Sequence, residues 1–227
     1  MGVAIVTFYF TLILKDTYLK HIESELKNRL DYKYVWFRKQ NDLWDKYSNF
    51  IYSTATWEEL IPNIAKGIEL HKLNKEEFFY YTINRWYNYW SAVAVELIFA
   101  ELPQVIPHKN PKDKLVDFTL CGKNFDHKTT VFPTGYQKNI SYAQQNPMDL
   151  ITWLYAHQSQ QQRKHLDNRL FIVVYANNGE HWKLKSEIYW LRGIISSYVA
   201  TFDPSKLIRL QLQPYKITSA GLIWAIK

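Results

Sequence analysis

The sequence predicts an α/β protein in which a helical region precedes a mixed β-sheet flanked by helices. Residues 16 to about 101 repeat their apolar side chains at helical spacing, whereas the apolar period becomes two from Leu115 onward. The chain has 227 residues, enough for one substantial core or for a core with a smaller appendage. We therefore expect a mostly helical region over residues 1–74 and an α/β core with C-terminal strands over residues 75–227.

The N-terminal region begins with an almost wholly apolar stretch, Gly2–Leu14. This stretch is shorter than the ~20 residues of a membrane-spanning helix. It also lacks the basic start and the small-residue cleavage site of a signal peptide. We expect a buried strand or helix here, with a weak membrane contact as the alternative. Asp16–Leu30 follows as a helix with leucine and isoleucine side chains at helical spacing.

Two capping boxes mark the starts of further helices. Thr56 precedes Glu59 by three residues, and Asn74 precedes Glu77 by the same spacing. The second box opens a long helix that ends before Pro103. We expect one apolar stripe of this helix to be buried, formed by Phe79, Ile83, Trp86, Trp90, Val93 and Leu97.

The second half of the chain reads as strands separated by helices. Leu115–Leu120 and Phe125–Phe132 alternate as the two strands of a hairpin around the turn Cys121–Asn124. The remaining predicted elements are a helix from Asn146 and Pro147 to about Gln160, a strand buried on both faces at Leu170–Tyr175, a helix from Ser186 to about Tyr198, and strands at Leu207–Leu212 and Leu222–Ile226.

The amino-acid composition limits the classes of protein to which this chain can belong. Aromatic residues at 17% and charged residues at 22% exclude a disordered chain. The single Cys121 excludes a disulfide framework and a multi-cysteine zinc site, and it fits a reducing cytoplasm. A formal net charge of +7 makes nucleic acid the first partner to test. The chain carries no phosphate-binding glycine loop and no dinucleotide fingerprint, so we expect no nucleotide cofactor.

The predicted hairpin carries a charged constellation. If the turn centres on Gly122-Lys123, Asp117 pairs with Lys128, and Asp126, two residues from Lys128, faces the same side of the sheet. Two carboxylates and one ammonium group then share one patch. A three-residue loop would shift the register by one and move Asp117 to the other face.

This grouping favours phosphodiester chemistry. Adjacent carboxylates raise each other's pKa unless a cation lies between them. Mg²⁺ suits that position, because it takes one or two carboxylates together with waters and phosphate oxygens. A neighbouring lysine can orient or deprotonate a water and offset charge on the phosphate. These are the parts needed for metal-assisted hydrolysis. Glu96, among apolar neighbours in the preceding helix, is expected to be buried with a partner.

In their order along the chain, Glu96, Val116-Asp117 and Asp126-His127-Lys128 resemble the motif of the PD-(D/E)XK nuclease superfamily, which includes many restriction endonucleases. Val116 replaces the proline that often precedes the first aspartate. The resemblance covers residues 75 to about 176 and implies a restriction-endonuclease-like fold. It further implies that Asp117 and Asp126 bind the metal, that Lys128 positions the attacking water, and that Glu96 is an accessory ligand or hydrogen-bond partner.

The leading expectation is a Mg²⁺-dependent endonuclease of the type II restriction type that cuts duplex DNA. We expect it to be cytoplasmic and to act as a homodimer with one active site per strand. Two alternatives stay open. One is a non-catalytic nucleic-acid-binding module with the same fold, and the other is a structure-selective repair nuclease. In the non-catalytic case Asp117 and Lys128 form only an exposed ion pair. His127 is expected on the opposite face, packed structurally.

Basic and amide side chains flank the hairpin and are candidate contacts to a polyanion. Arg169 and Lys185 belong to this basic set as well. The candidate nucleic-acid-binding residues are Lys109, Lys112, Lys114, Lys138, Gln144, Arg163, Lys164, His165 and Lys183.

Overall fold

A computed structural model describes residues 16–108, 116–157 and 166–227. The described residues form two compact units. One comprises residues up to Ala94 together with Ser186–Trp190, and the other comprises Val95–Lys185 together with Leu191–Lys227. The division expected after residue 74 falls at the start of the long helix Lys75–Glu101. The two units divide inside this helix, between Ala94 and Val95. The apolar stretch Gly2–Leu14 lies outside the described residues.

The first unit is helical. Its helices are α1 (residues 16–27), α2 (Asp42–Tyr47), α3 (Trp57–His71) and the larger part of α4 (Lys75–Glu101). Both predicted caps are confirmed. The Thr56 hydroxyl accepts from the Glu59 backbone N–H at 3.4 Å, and the Asn74 side chain accepts from the Glu77 N–H at 3.0 Å.

The burial of α4 is broader than the predicted stripe. Ile83, Trp86 and Trp90 are buried as expected, but every residue from 81 to 87 is also buried. The predicted stripe is therefore incomplete, because a helix covered on most sides does not leave a single apolar face. Among its expected members, those only half-buried are Phe79, Val93 and Leu97.

The second unit contains a six-stranded mixed sheet in the order β1-β2-β3-β4-β6-β5. The strands are β1 (Val105–Pro107), β2 (Phe118–Leu120), β3 (Lys123–Val131), β4 (Arg169–Tyr175), β5 (Ile208–Gln213) and β6 (Lys216–Ile226). The pairs β3–β4 and β4–β6 are parallel, and the other three pairs are antiparallel. The predicted α/β class with a mixed sheet flanked by helices is thus confirmed.

Helices α5 (Ile140–Gln145) and α6 (Pro147–Ala156) connect β3 to β4, and α7 (Ile188–Ala200) follows β4. Pro147 occupies the first turn of α6, as predicted. The central strand β4 is buried on both faces from Leu170 to Val174, also as predicted. Helices α5 and α6 cover the face of the sheet that carries Phe171 and Val173. Within the described residues, no helix combines the length and apolarity needed to cross a membrane.

The predicted turn of the β2–β3 hairpin was wrong by one residue. Leu120 pairs with Lys123, so the turn consists of Cys121 and Gly122, whose φ angles are +47° and +72°. Two positive φ angles are typical of the type I′ turn, whose twist matches that of the strands and which favours glycine at its second position. The predicted turn had glycine at its first position. Continued toward Asp117, the observed register brings this residue opposite Asp126 instead of Lys128. The register moved by two residues, so Asp126 and Lys128 still share one face, whereas Asp117 lies in the bend just before the paired residues.

Candidate active site

The candidate active site lies where β2, β3 and β4 run side by side. Asp117 immediately precedes β2, Asp126 and Lys128 lie on β3, and Arg169 begins β4. The parallel register pairs Asp126 with Arg169 and Lys128 with Phe171. Residues opposite each other in a sheet share a face, so Asp126, Lys128 and Arg169 project from the same side.

Asp117 is held by the histidine that follows Asp126. Its Oδ2 accepts hydrogen bonds from the His127 backbone N–H at 2.8 Å and from His127 Nδ1 at 2.6 Å. Burial raises the pKa of Asp117, but the hydrogen bonds and positive charge of His127 outweigh it, and the pKa lies below its ordinary value. Asp117 is therefore the more strongly ionised of the two acids.

His127 is buried, as expected, yet it does more than fill space. Its ring is 7% exposed and reaches Asp117, which lies in the bend before β2 and not in the paired part of the strand. Burial lowers the pKa of His127, but the negative charges of Asp117, Asp126 and Glu96 raise it by more, so the pKa is above its ordinary value. Sequence alternation alone had assigned His127 a packing role.

Asp126 forms an ion pair with Arg169 through the arginine Nε. The Arg169 side chain is only 5% exposed, so its assignment to the nucleic-acid-binding surface is wrong. A charged residue at the first position of a strand buried on both faces is the sequence signal that was missed. The Nη1 of Arg169 is buried and has no hydrogen-bond partner in the described part of the chain.

The two acids are electrostatically linked. Burial raises the pKa of Asp126, and the negative charge of Asp117 adds to that effect, while Arg169 offsets part of it; the pKa remains above its ordinary value. A hydrogen bond from the Asp126 carboxyl in turn helps to lower the pKa of Asp117. Burial and the charge of Asp117 thus oppose ionisation of Asp126, and a proton or another cation beside this carboxyl would relieve the repulsion between the two acids.

This donor set fits a hard divalent cation that keeps most of its own waters. Mg²⁺ is commonly held by one or two carboxylates, with water and phosphate oxygens completing the shell. Asp117 and Asp126 would supply those carboxylates. Among residues 16–108, 116–157 and 166–227, no cluster of three or more histidine, cysteine or acidic side chains is arranged to hold a metal.

Two half-buried lysines of the second unit have lowered pKa values. Burial together with the positive charge of Arg169 lowers the pKa of Lys128, against the opposing effect of Asp126. Lys185 follows β4, and burial and the nearby charge of Lys128 lower its pKa to about 8. Lys128 is a predicted site residue, whereas Lys185 belonged to the predicted basic surface.

Glu96 departs from its expected burial. It lies near the end of α4 and is exposed, as is Ala92 one turn earlier, so this face of the helix is open to solvent. Within the described part of the chain Glu96 makes no hydrogen bond or ion pair with either aspartate. Its recorded effect on the site is to raise the pKa of His127 by its charge.

The candidate nucleic-acid contacts are partly described. Lys138 is exposed, with its ammonium group 5.2 Å from the centre of the Tyr142 ring, and Gln144 is exposed on α5. Lys183 is paired with Glu180 at 2.6 Å. The candidates that lie outside the described residues are Lys109, Lys112, Lys114, Arg163, Lys164 and His165.

Comparison with known proteins identifies no relative. The chain matches no protein-family model, and neither a curated protein nor a solved structure is significantly similar to it. The function is therefore argued from the site.

Proposed function

We propose that this chain is a Mg²⁺-dependent endonuclease that hydrolyses DNA phosphodiester bonds, of the type II restriction type and with a restriction-endonuclease-like fold. The observation that carries the proposal is the acid pair. Asp117 lies just before β2 and Asp126 lies on the neighbouring strand β3, with their pKa values shifted in opposite directions, and Lys128 projects from the same face as Asp126. Their spacing had marked the same three residues in the sequence.

The order of elements supports the proposal. Helix α4 carries Glu96, the hairpin follows with Asp117 ahead of β2 and Asp126 on β3, and helices then lead to the parallel strand β4. This is the order in which the nuclease superfamily arranges its helix acid, its hairpin aspartate and its Asp-x-Lys motif. The basic character of the chain, with a formal net charge of +7, suits a polyanionic substrate.

Each side chain has a distinct role in the proposed reaction. Asp117 and Asp126 would hold Mg²⁺, which when bound polarises the phosphate and makes a bound water more acidic. Lys128 would position the attacking water, and its lowered pKa increases the fraction of neutral amine that can accept the water's proton. The water oxygen forms a new bond to phosphorus while the bond to the leaving sugar oxygen breaks.

His127 and Arg169 hold the two acids in position. His127 anchors one carboxylate oxygen of Asp117, and Arg169 anchors Oδ2 of Asp126. Groups that hydrogen-bond metal ligands fix their orientation, and their loss commonly reduces metal affinity about 10- to 100-fold. A homodimer with one active site per strand would cut both strands of a palindromic duplex, and its two-fold axis would match that of the DNA site.

A cleavage assay tests the proposal. Supercoiled plasmid and phage DNA are incubated with the protein in Mg²⁺, in EDTA, and with the variants Asp126→Asn and Asp31→Asn. Asp31 is an exposed aspartate outside the site and serves as the matched control. We expect discrete fragments that disappear in EDTA and with Asp126→Asn but persist with Asp31→Asn. Nicking or a smear would favour the structure-selective repair nuclease.

A second candidate function is a nucleic-acid-binding module without catalysis. The observation in its favour is that each acid already has an internal cationic partner, His127 for Asp117 and Arg169 for Asp126. Such a module would bind DNA equally well in Mg²⁺ and in EDTA, and Asp126→Asn would leave its affinity unchanged. DNA that stays intact while its gel mobility shifts would support this function against the nuclease.

A further inference from the structure

The hairpin formed by β5 and β6 ends in a strained turn. Gln213 pairs with Lys216, so the turn consists of Pro214 and Tyr215. Tyr215 has φ = +62°, in the left-handed region that glycine and asparagine adopt and other residues avoid. Proline followed by a residue with positive φ is the arrangement of a type II turn, whose third position favours glycine. A tyrosine there costs backbone free energy.

The side chain of Tyr215 does not contribute to the packing of the fold. Its side chain is fully exposed, at 104% relative accessibility. The other described non-glycine residues with positive φ are Lys72, Cys121 and Gln137, none of them aromatic. In the described part of the chain, the Tyr215 ring has no stacking partner, hydrogen bond or cation contact. Backbone strain that no packing offsets is characteristic of residues that serve a function.

The base of the hairpin is anchored, whereas its tip is not. The Thr218 hydroxyl donates to the Leu166 carbonyl, and the Ser219 N–H donates to the Asn168 side chain at 2.8 Å. The Lys216 ammonium pairs with Asp167. Tyr215 lies beyond all three contacts. A firm base and a proline in the turn present the ring in a fixed position, which lowers the entropy lost on binding.

The position of the tip relative to the acids follows from the sheet register. Ala220 on β6 pairs with Arg169, which pairs with Asp126. Two strand spacings of ~4.8 Å and five residues of ~3.3 Å place Tyr215 roughly 19 Å from Asp126, beyond the end of the sheet at which β4 begins. That distance is about five to six base-pair steps at ~3.4 Å each.

The surroundings of the ring suit nucleic acid better than protein. The exposed neighbours on this hairpin are mainly polar or basic, namely Arg209, Gln211, Pro214 and Lys216, with Ile217 the apolar exception. A protein interface requires a patch of roughly 800 Å² per partner with an apolar centre, which one ring and one isoleucine do not form. An isolated, exposed aromatic ring among polar side chains matches a base-stacking contact.

We propose that Tyr215 is a nucleic-acid contact that stacks on a base of the bound DNA, at a point roughly 19 Å from Asp126. The inference rests on the proposed function only in taking DNA as the ligand and Asp126 as the reference point. The hairpin is then a second DNA-binding element of the second unit, separate from the acids that carry the chemistry.

The test compares Tyr215→Gly, Tyr215→Phe and the control Tyr18→Ala, which removes an exposed tyrosine of the first unit. All are made in the Asp126→Asn background, so that fluorescence anisotropy with a labelled 30-base-pair duplex measures binding without cleavage. Glycine suits the turn, so Tyr215→Gly should unfold at the same temperature as its parent or higher. We expect its Kd to rise by at most the roughly 5- to 150-fold that loss of one stacked base costs in single-stranded complexes, because a base in a duplex must first leave its own stack. Tyr215→Phe and Tyr18→Ala should stay within about two-fold of the parent.

A dependence on ionic strength separates stacking from charge. Stacking releases no counterions, so Tyr215→Gly should keep the parent's slope of log K against log salt, while Arg209→Ala should reduce it. Unchanged affinity of Tyr215→Gly, equal losses in the glycine and phenylalanine variants, or an oligomeric state that changes without DNA would overturn the inference. A chain that binds DNA through Tyr215 but never cuts it would refute the nuclease and leave this inference standing.

Discussion

Replacing Arg169 by methionine probes the acid pair through stability. The substitution keeps a long side chain but leaves Asp126 as a buried carboxylate without its cation. Breaking a buried ion pair in this way costs about 3 to 5 kcal/mol. Asp126 retains 18% of its side-chain surface and can take up a proton, so we expect a cost at or just below the lower end of this range, about 2 to 3 kcal/mol in EDTA at pH 7. For a chain of this size, that corresponds to a Tm lower by about 5 to 10 °C.

The stability loss of Arg169→Met should depend on pH, on Asp126 and on Mg²⁺. The loss should shrink as pH falls toward 5, because Asp126 then binds a proton in place of the missing guanidinium. It should shrink again when Asp126→Asn is added, and Mg²⁺ should stabilise the single variant more than the parent, because a cation replaces the lost charge. Arg209→Met, which removes an exposed arginine, should change stability by less than about 0.5 kcal/mol. A loss for Arg169→Met that is equal at pH 5 and pH 7 and unchanged by Asp126→Asn would refute the reasoning. Chemical denaturation at several pH values measures all of these quantities.

Three further predictions concern the same unit. His127→Gln in EDTA should lower stability most near pH 5 to 6. Because the pKa of His127 is raised, its ion pair with Asp117 stabilises the fold below pH ~6.5 and is lost as pH rises. Because the pKa of Asp117 is lowered, the same pair stabilises the fold above pH ~3.9. A penalty that grows steadily to pH 9 would contradict this prediction. Gly221→Ala should cost about 1 to 3 kcal/mol, since a Cβ there would lie 2.5 Å from the Tyr198 hydroxyl oxygen, and an unchanged urea midpoint would disprove it. Cys121→Asn should stabilise the exposed type I′ turn by about 0.5 to 1 kcal/mol, and a lower Tm would show that the turn is formed differently.

Local patterns were sufficient to predict much of the fold. The caps at Thr56 and Asn74 are formed by residues three apart, and the apolar run of β4 needs no partner to be recognised. Strand β1 was missed because three residues ending in proline carry no alternation to read. The hairpin turn was misplaced by one residue because a single glycine fits either position of a two-residue turn.

The site was harder to predict because its contacts join distant parts of the chain. Asp117 and Asp126 share a hairpin, so spacing alone placed them on one face. Arg169 meets Asp126 only through the crossover from β3 to β4, and no local pattern contains that pairing. Glu96 was misjudged because its apolar neighbours suggested burial, whereas its position on α4 faces solvent together with Ala92.

We propose that Asp117 and Asp126 together hold a divalent cation. Isothermal titration of the protein with Mn²⁺, as a stand-in for Mg²⁺, tests it without any substrate. We predict a saturable site in the parent and in Asp31→Asn that is lost in both Asp117→Asn and Asp126→Asn. Identical titration curves for all four proteins would contradict the claim.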